Sequence, residues 1–317
     1  SDLRVLYDLA IYNCLRFGTY KMLIYEDFQT VREYTNVEVS REATQLAAGL
    51  QALGIQQGDR VIVMMLNAPE VVISYQAIAR AGAIIIPVMP LLKAPEVHYI
   101  AENSGARAII TESMLLPLLR NALADVPTMQ HIISTGNVGA LSPYTFGNDA
   151  AHLASGSSER KEVFIAPLSP AEGRDKSGPY VHPYQTIVSK GASQADNYLS
   201  DLPGVSLTPN DTAVTLYTSG TTGRPKGVVL THGNLIANAL SARGTDTEAT
   251  RLGQTQLAIL PLAHSYGLLV SNVSYLTGVT LVMHPRFDTI AVLSAIERHH
   301  ITGFAGVPAM FVALLYT

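Results

Sequence analysis

The sequence predicts an α/β fold: stacked βαβ subdomains with mainly parallel sheets flanked by helices. The first observation behind this is the alternation of short β-branched runs with amphipathic stretches, the pattern of successive βαβ units. The second is material for a core, since 48% of the 317 residues are hydrophobic and only 15% are charged. An average soluble chain carries about a quarter charged residues. That deficit predicts either a large interior fraction or a surface meant to be covered.

The elements follow in order. Thr35-Asn36-Val37-Glu38 has capping-box spacing, in which the Thr hydroxyl and the Glu carboxylate satisfy free N–H groups at a helix start. Val39, Ala43, Leu46, Leu50 and Leu53 then share one helical face, and Gly54 ends it. A buried strand is predicted at Arg60–Met65, a helix from Pro69 to about Ala81, a strand at Ala83–Pro87, a helix at Pro95–Asn103 and a strand at Arg107–Ile110. The rhythm breaks over 135–184, a segment rich in glycine and proline that reads as a loop insertion with a short strand at Val163–Ala166. Order resumes with a helix at Gln185–Leu199 and strands at Thr212–Tyr217 and Val228–Leu230. A helix at Gly233–Ala242, a strand at Gln256–Leu260, a helix at Tyr266–Tyr275, a strand at Thr280–Met283 and a helix at Thr289–His299 follow.

Charge and cysteine content narrow the classes of function. A net charge of −4 with no basic run argues against a nucleic-acid partner, which would demand clustered positive charge. Cys14 is the only cysteine, which predicts a reducing, cytoplasmic setting. The longest apolar runs, Val61–Leu66 and Ala83–Val88, fall far short of the roughly 20 residues of a membrane span. No signal-peptide pattern opens the sequence.

Chemistry concentrates between the strands ending at Tyr217 and beginning at Val228. A triphosphate requires many N–H donors, hydroxyls and a cation, and Thr218–Gly227 supplies all three. Gly220, Gly223 and Gly227 have no Cβ to keep the backbone amides from the ligand. Thr218, Ser219, Thr221 and Thr222 add hydroxyls for phosphate oxygens or Mg²⁺, and Lys226 a mobile charge for the outer phosphates. The spacing is not that of the Walker loop: Pro225 stands five residues after Gly220, and Gly227 follows Lys226 instead of preceding it. No dinucleotide fingerprint G-x-G-x-x-G occurs.

The run Tyr217-Thr-Ser-Gly-Thr-Thr-Gly-Arg-Pro-Lys-Gly-Val228 resembles the signature loop of the adenylate-forming superfamily. That family includes acyl-CoA synthetases, aryl-acid ligases, peptide-synthetase adenylation domains and beetle luciferases. Gly58-Asp59-Arg60-Val61, Asn67-Ala68-Pro69-Glu70, Ala81-Gly82-Ala83 and Pro87-Val88 resemble its earlier landmarks. Thr231-His232-Gly233-Asn234, Leu260–His264, Pro285-Arg286-Phe287-Asp288 and Gly306-Val307-Pro308 follow the loop in the family's order.

The resemblance implies ATP-dependent activation of a carboxylic acid as its acyl-AMP, with release of pyrophosphate and transfer to CoA. It implies phosphate contacts from Thr218, Ser219, Gly220, Thr221, Thr222, Gly223 and Lys226, with Thr221 near Mg²⁺. His264 corresponds to the residue beside the carboxylate and the thiol-delivery tunnel; on residue pattern alone it would cap the helix starting near Ser265. Tyr266, Gly267 and Val270 would border the acyl pocket, or simply pack the helix. Amino-acid-activating relatives commonly place an Asp near this position to pair the α-ammonium. Ala263-His264-Ser265-Tyr266 holds no acid, which favours a fatty or aryl acid. His232 reads as packing at a helix start, and His299-His300 as polar groups suited to a helix C-terminus.

By comparison with the family, 1–317 reads as an incomplete AMP-binding N-terminal domain, inactive by itself. The Tyr-Gly-x-Thr-Glu motif, the ribose-binding Asp and the C-terminal domain with its Lys are not found in it. Other readings are a ligase that loads carrier-protein pantetheine or an amine, and a truncated, non-catalytic paralogue that binds nucleotide.

Overall fold

The computed structural model describes residues 3–27, 30–136, 178–195, 197–218, 224–244 and 253–317. It opens with a helix the sequence pattern did not mark, α1 (Asp8–Phe17), followed by strands β1 (Lys21–Glu26) and β2 (Val31–Thr35). Thr35 then closes the predicted box: its Oγ1 accepts from Glu38 N at 3.2 Å while Glu38 Oε2 accepts from Thr35 N at 2.7 Å. This starts α2 (Asn36–Ala52), whose Val39, Ala43, Leu46 and Leu50 are buried and whose flanking Leu53 is half-buried.

The βα rhythm continues through β3 (Arg60–Met64), α3 (Pro69–Arg80), β4 (Ile84–Pro87), α4 (Ala94–Ser104) and β5 (Ala108–Glu112), each close to its predicted bounds. Next come α5 (Leu116–Leu123) and β6 (His131–Thr135). Of the segment 135–184, residues 137–177 lie outside the described residues, including the strand expected at Val163–Ala166. Its far end is not loop: Tyr180–Pro183 forms β7, which pairs in parallel with β6, Ile132 opposite Val181.

The helix predicted to reach Leu199 is shorter, α6 (Tyr184–Ala192). Beyond it Asn197 folds the chain into a turn, Oδ1 accepting from Leu199 N at 3.0 Å and the carbonyl from Ser200 N. The chain continues through β8 (Thr212–Thr218), β9 (Lys226–Thr231), α7 (His232–Gly244), β10 (Thr255–Ala258), α8 (Ser265–Thr277), β11 (Thr280–Met283), α9 (Thr289–Arg298), β12 (Gly303–Phe304) and α10 (Pro308–Leu315).

Among the described residues the strands form two sheets. One has the order β7-β6-β5-β3-β4-β8-β9, parallel except for the final β8–β9 pair. The other has the order β12-β10-β11-β1-β2, parallel except for β1–β2. The predicted mainly parallel α/β architecture is therefore what forms. Strands covered on both faces account for continuous apolar runs such as Val61–Met64. Helices α2 and α3 lie in the main core with residues of both sheets. Helices α2 and α6 touch backbone to backbone: a Cβ on Gly49 would strike the Ile187 carbonyl, and one on Gly191 the Gln45 carbonyl. No described helix is long and apolar enough to cross a membrane.

Candidate functional site

The glycine-rich run is the link between β8 and β9. In the antiparallel pair Thr218 stands opposite Lys226 and Tyr217 opposite Gly227. Thr218 and Lys226, the two predicted phosphate-binding residues within the described set, are both exposed at this end of the hairpin. Ser219, Gly220, Thr221, Thr222 and Gly223 lie outside the described residues.

Helix α4 buttresses the hairpin. Tyr99 Oη donates to Pro225 O at 3.2 Å, the Arg224 guanidinium lies 5.8 Å from the Tyr99 ring centre, and Tyr217 Oη donates to Asn103 Oδ1 at 2.7 Å. Burial raises the Tyr217 phenol above its usual range, so it stays a neutral donor. Gly227 has a packing reason of its own. It is a strand residue, and a Cβ there would meet Thr215 Cγ2 at 2.9 Å.

Helix α7 begins directly after β9. Thr231 Oγ1 accepts from Asn234 N and Asn234 Oδ1 accepts from Thr231 N, both at 3.1 Å, a reciprocal cap that explains half of the Thr-His-Gly-Asn run. His232 explains the rest. It is 1% exposed, and its Nδ1 accepts from Leu6 N at 3.1 Å. Burial pushes its imidazole down to about 4, against the opposing pull of Asp211 and Asp8. It is a packed, neutral helix-start residue, as predicted.

Helix α7 packs on α8, which starts at the second predicted feature. His264 is the N-cap of α8 and is exposed; its Nδ1 accepts from Tyr266 N at 3.3 Å. With Nδ1 accepting, the neutral ring carries its proton on Nε2. Capping and chemistry are thus compatible, since one nitrogen holds the helix and the other is left to act. Behind the cap lies a cavity of about 360 Å³. Its walls include Tyr266, Gly267 and Val270, so these three predicted pocket residues are brought together, while His264 is not in the wall. Leu257 of β10, Ile259 just beyond it and the aromatic Phe304 complete much of the apolar lining. Among the described residues lining it there is no Asp, Glu, Lys or Arg. Gly267 also fits α8 to the preceding turn, where a Cβ would run into Pro261 O and Leu262 Cα.

His299 does more than face a helix end. Its Nε2 lies 2.6 Å from Glu26 Oε1, and Arg298 Nη1 donates to both carboxylate oxygens at 3.0 and 3.1 Å. Burial alone would raise the Glu26 carboxyl, but the His299 and Arg298 hydrogen bonds outweigh it and hold Glu26 below the usual carboxylate range. Glu26 is 5% exposed, and the group ties α9 to β1. Local pattern missed this contact, as it missed Tyr99 and Asn103, because each joins elements far apart in the chain.

Comparison with known proteins follows the same geometry. The profile of a family described as AMP-binding enzyme matches residues 13–317. A long-chain-fatty-acid–CoA ligase of Bacillus subtilis is 30% identical over 286 residues, 90% of this chain and 48% of that protein. A feruloyl-CoA synthase of Amycolatopsis is 31% identical over 281 residues, covering 88% of this chain and 45% of the relative. The crystallised N-terminal domain of FACL13 from Mycobacterium tuberculosis superposes with a TM-score of 0.73 at 25% identity, over 99% of this chain and 65% of that one. The chain spans about half the length of the curated relatives it matches.

Proposed function

Because this chain belongs to the AMP-binding enzyme family, we propose that its protein activates a fatty or aryl acid as the acyl-adenylate and transfers the acyl group to CoA. The observation that carries the choice of acid is the cavity behind His264, whose described lining has no charged side chain. An α-ammonium entering such a pocket would be stranded without a counter-ion. An alkyl or aryl group gains by leaving water. The relatives named for a long-chain fatty acid and for a feruloyl group support the same two acid classes.

In this reading a carboxylate oxygen attacks the α-phosphorus of ATP, the bond to pyrophosphate breaks, and a thiol later displaces AMP from the acyl carbon. Catalysis is mainly alignment of two anions and neutralisation of the leaving charge. Lys226 approaches the outer phosphates, with Thr218, Ser219, Gly220, Thr221, Thr222 and Gly223 around them. When bound, Mg²⁺ would share the neutralisation, held chiefly by phosphate oxygens and water with Thr221 beside it. His264 orients the carboxylate through the ring edge left free by its capping bond. The lone Cys14 supports a cytoplasmic location.

The test is ATP–pyrophosphate exchange by the protein expressed from its complete reading frame, with fatty, aryl and amino acids offered in turn. CoA as sole acceptor follows. Fatty- or aryl-acid-dependent exchange and a CoA thioester are expected. Exchange with amino acids alone would overturn the acid class. Adenylate without thioester would move the acceptor to carrier-protein pantetheine or an amine, and nucleotide binding without exchange would mark a non-catalytic paralogue.

A further inference from the structure

Asn67 lies between β3 and α3, and nothing in the proposed chemistry uses it. It is 5% exposed, and both ends of its amide are engaged by the other sheet. Its Nδ2 donates to Leu260 O at 3.0 Å and, more weakly, to Ala258 O at 3.5 Å, while its Oδ1 accepts from Leu262 N at 2.8 Å. Further along α3, Tyr75, 3% exposed, donates its phenolic proton to Leu262 O at 3.1 Å. Two side chains, one from the β3–α3 link and one from α3, therefore bind four main-chain groups at and just beyond the end of β10.

The chemistry explains why those residue types are there. Strand β10, predicted to run to Leu260, stops at Ala258. Backbone groups that leave a sheet in a buried place still require partners. A primary amide has two donors and an acceptor in one plane, so it can serve two carbonyls and an N–H at once. An isosteric carboxylate would set negative oxygens against the two carbonyls. The close fit of Gly267 grips the turn from the α8 side at Pro261 and Leu262. The segment so fixed supplies Ile259, Leu260 and Leu262 to the cavity wall. It then passes into His264, whose N–H is bonded to Pro261 O at 3.1 Å.

We propose that Asn67, assisted by Tyr75, is a positioning residue that sets the His264 corner and the adjacent cavity wall, so that acid alignment is controlled from the opposite sheet. The inference rests on the acid-activating reading of that corner. It is tested with Asn67→Asp, Asn67→Ala and Tyr75→Phe in the protein from the complete reading frame, by acid and ATP kinetics, thermal melting and amide hydrogen exchange.

Asn67→Asp and Asn67→Ala are expected to lower kcat/KM for the acid at least about tenfold, since small misplacements at a reacting centre are costly. KM for ATP should not change, and peptides covering 259–267 should exchange faster while those covering β3 do not. Tyr75→Phe, which removes one bond, should move the same quantities less and decides the matter where an Asn67 variant does not fold. A lower melting temperature with unaltered acid kinetics would overturn the proposal, as would unaltered exchange over 259–267. A wild-type protein without acid-dependent pyrophosphate exchange would refute the functional reading, while the exchange of 259–267 would still decide whether Asn67 holds the corner.

Discussion

Lys226 stands on an exposed hairpin, opposite Thr218 on the neighbouring strand, whereas His264 stands on a corner held by Asn67 from 191 to 195 positions away. Thr218 and Lys226 are exposed, and the hairpin's buttresses Tyr99 and Asn103 contact neighbours of Lys226 rather than Lys226 itself. At the corner the same atoms serve packing and the site: the His264 ring caps a helix, and Gly267 both lines the cavity and permits a helix contact. Function and stability should therefore separate at the hairpin and move together at the corner.

The largest effect expected is at the hairpin. Lys226→Ala should reduce acid-dependent pyrophosphate exchange on the order of 100-fold, the scale of losing one preorganised electrostatic contact. Its melting temperature should match wild type, and a marked drop in melting would break the contrast. Gly267→Ala should do the reverse. Crowding Pro261 and Leu262 should cost about 2 kcal/mol, read from the denaturant midpoint, together with a raised KM for the acid. A fully stable Gly267→Ala protein would mean the corner is softer than its packing implies.

A pH measurement sharpens the comparison at the hairpin's root, where α7 begins. The His232 imidazole is held near 4 in the fold, while an unperturbed histidine titrates near 6.5. Between those values the unfolded chain binds a proton that the folded chain refuses. Stability should therefore be full above about pH 6.5 and fall as pH drops toward 4, with roughly 1–2 kcal/mol lost by pH 5. His182, also lowered to about 4 by burial, contributes in the same window. Comparing denaturant midpoints at pH 7 and pH 5, His232→Asn should lose only part of the pH dependence, and no change in it would contradict the assignment. The smallest effect separates the two roles of His264. His264→Ala should cost about 1 kcal/mol through the lost cap, while His264→Asn, a good N-cap, should melt within about 0.5 kcal/mol of wild type. Both should lose the imidazole's contribution to acid turnover, which is measured in the same preparations.

The part of the fold readable in the sequence was the part made locally. The run from Thr35 to Glu112 gave its capping box, strands and helices close to their bounds because each βα unit carries its own start and stop signals. Helices α1 and α5 and strands β1, β2, β6, β7 and β12 were not found. Strand β2 has no clear in–out alternation, and β6 opens the glycine-rich stretch that masked it. The landmark motifs proved to be fasteners where the structure describes them. Asp59 Oδ2 accepts from Arg107 Nη1 at 3.0 Å, Arg60 donates to Ser104 O and Gly105 O, and Asp288 caps α9 through Ala291 N. Sequence order told that these residues belong together but not what they touch, since each reaches a partner set by the finished fold. The site was legible in the same uneven way. Tyr266, Gly267 and Val270 were found on one helix, while Leu257 and Phe304 across the cavity carry no signal linking them to it.

The contact of α2 with α6 at Gly49 and Gly191 bears on how this protein can change over generations. Each glycine faces a carbonyl of the other helix, so no side chain can be added at either position without parting the two. In a library of all single substitutions selected for folding, both positions should remain nearly invariant, while exposed Lys226 should accept most residues. Selection for activity should reverse that tolerance at Lys226 and leave 49 and 191 as they were. The two screens together would divide the sequence into residues kept for the scaffold and residues kept for the reaction, without any structure being consulted.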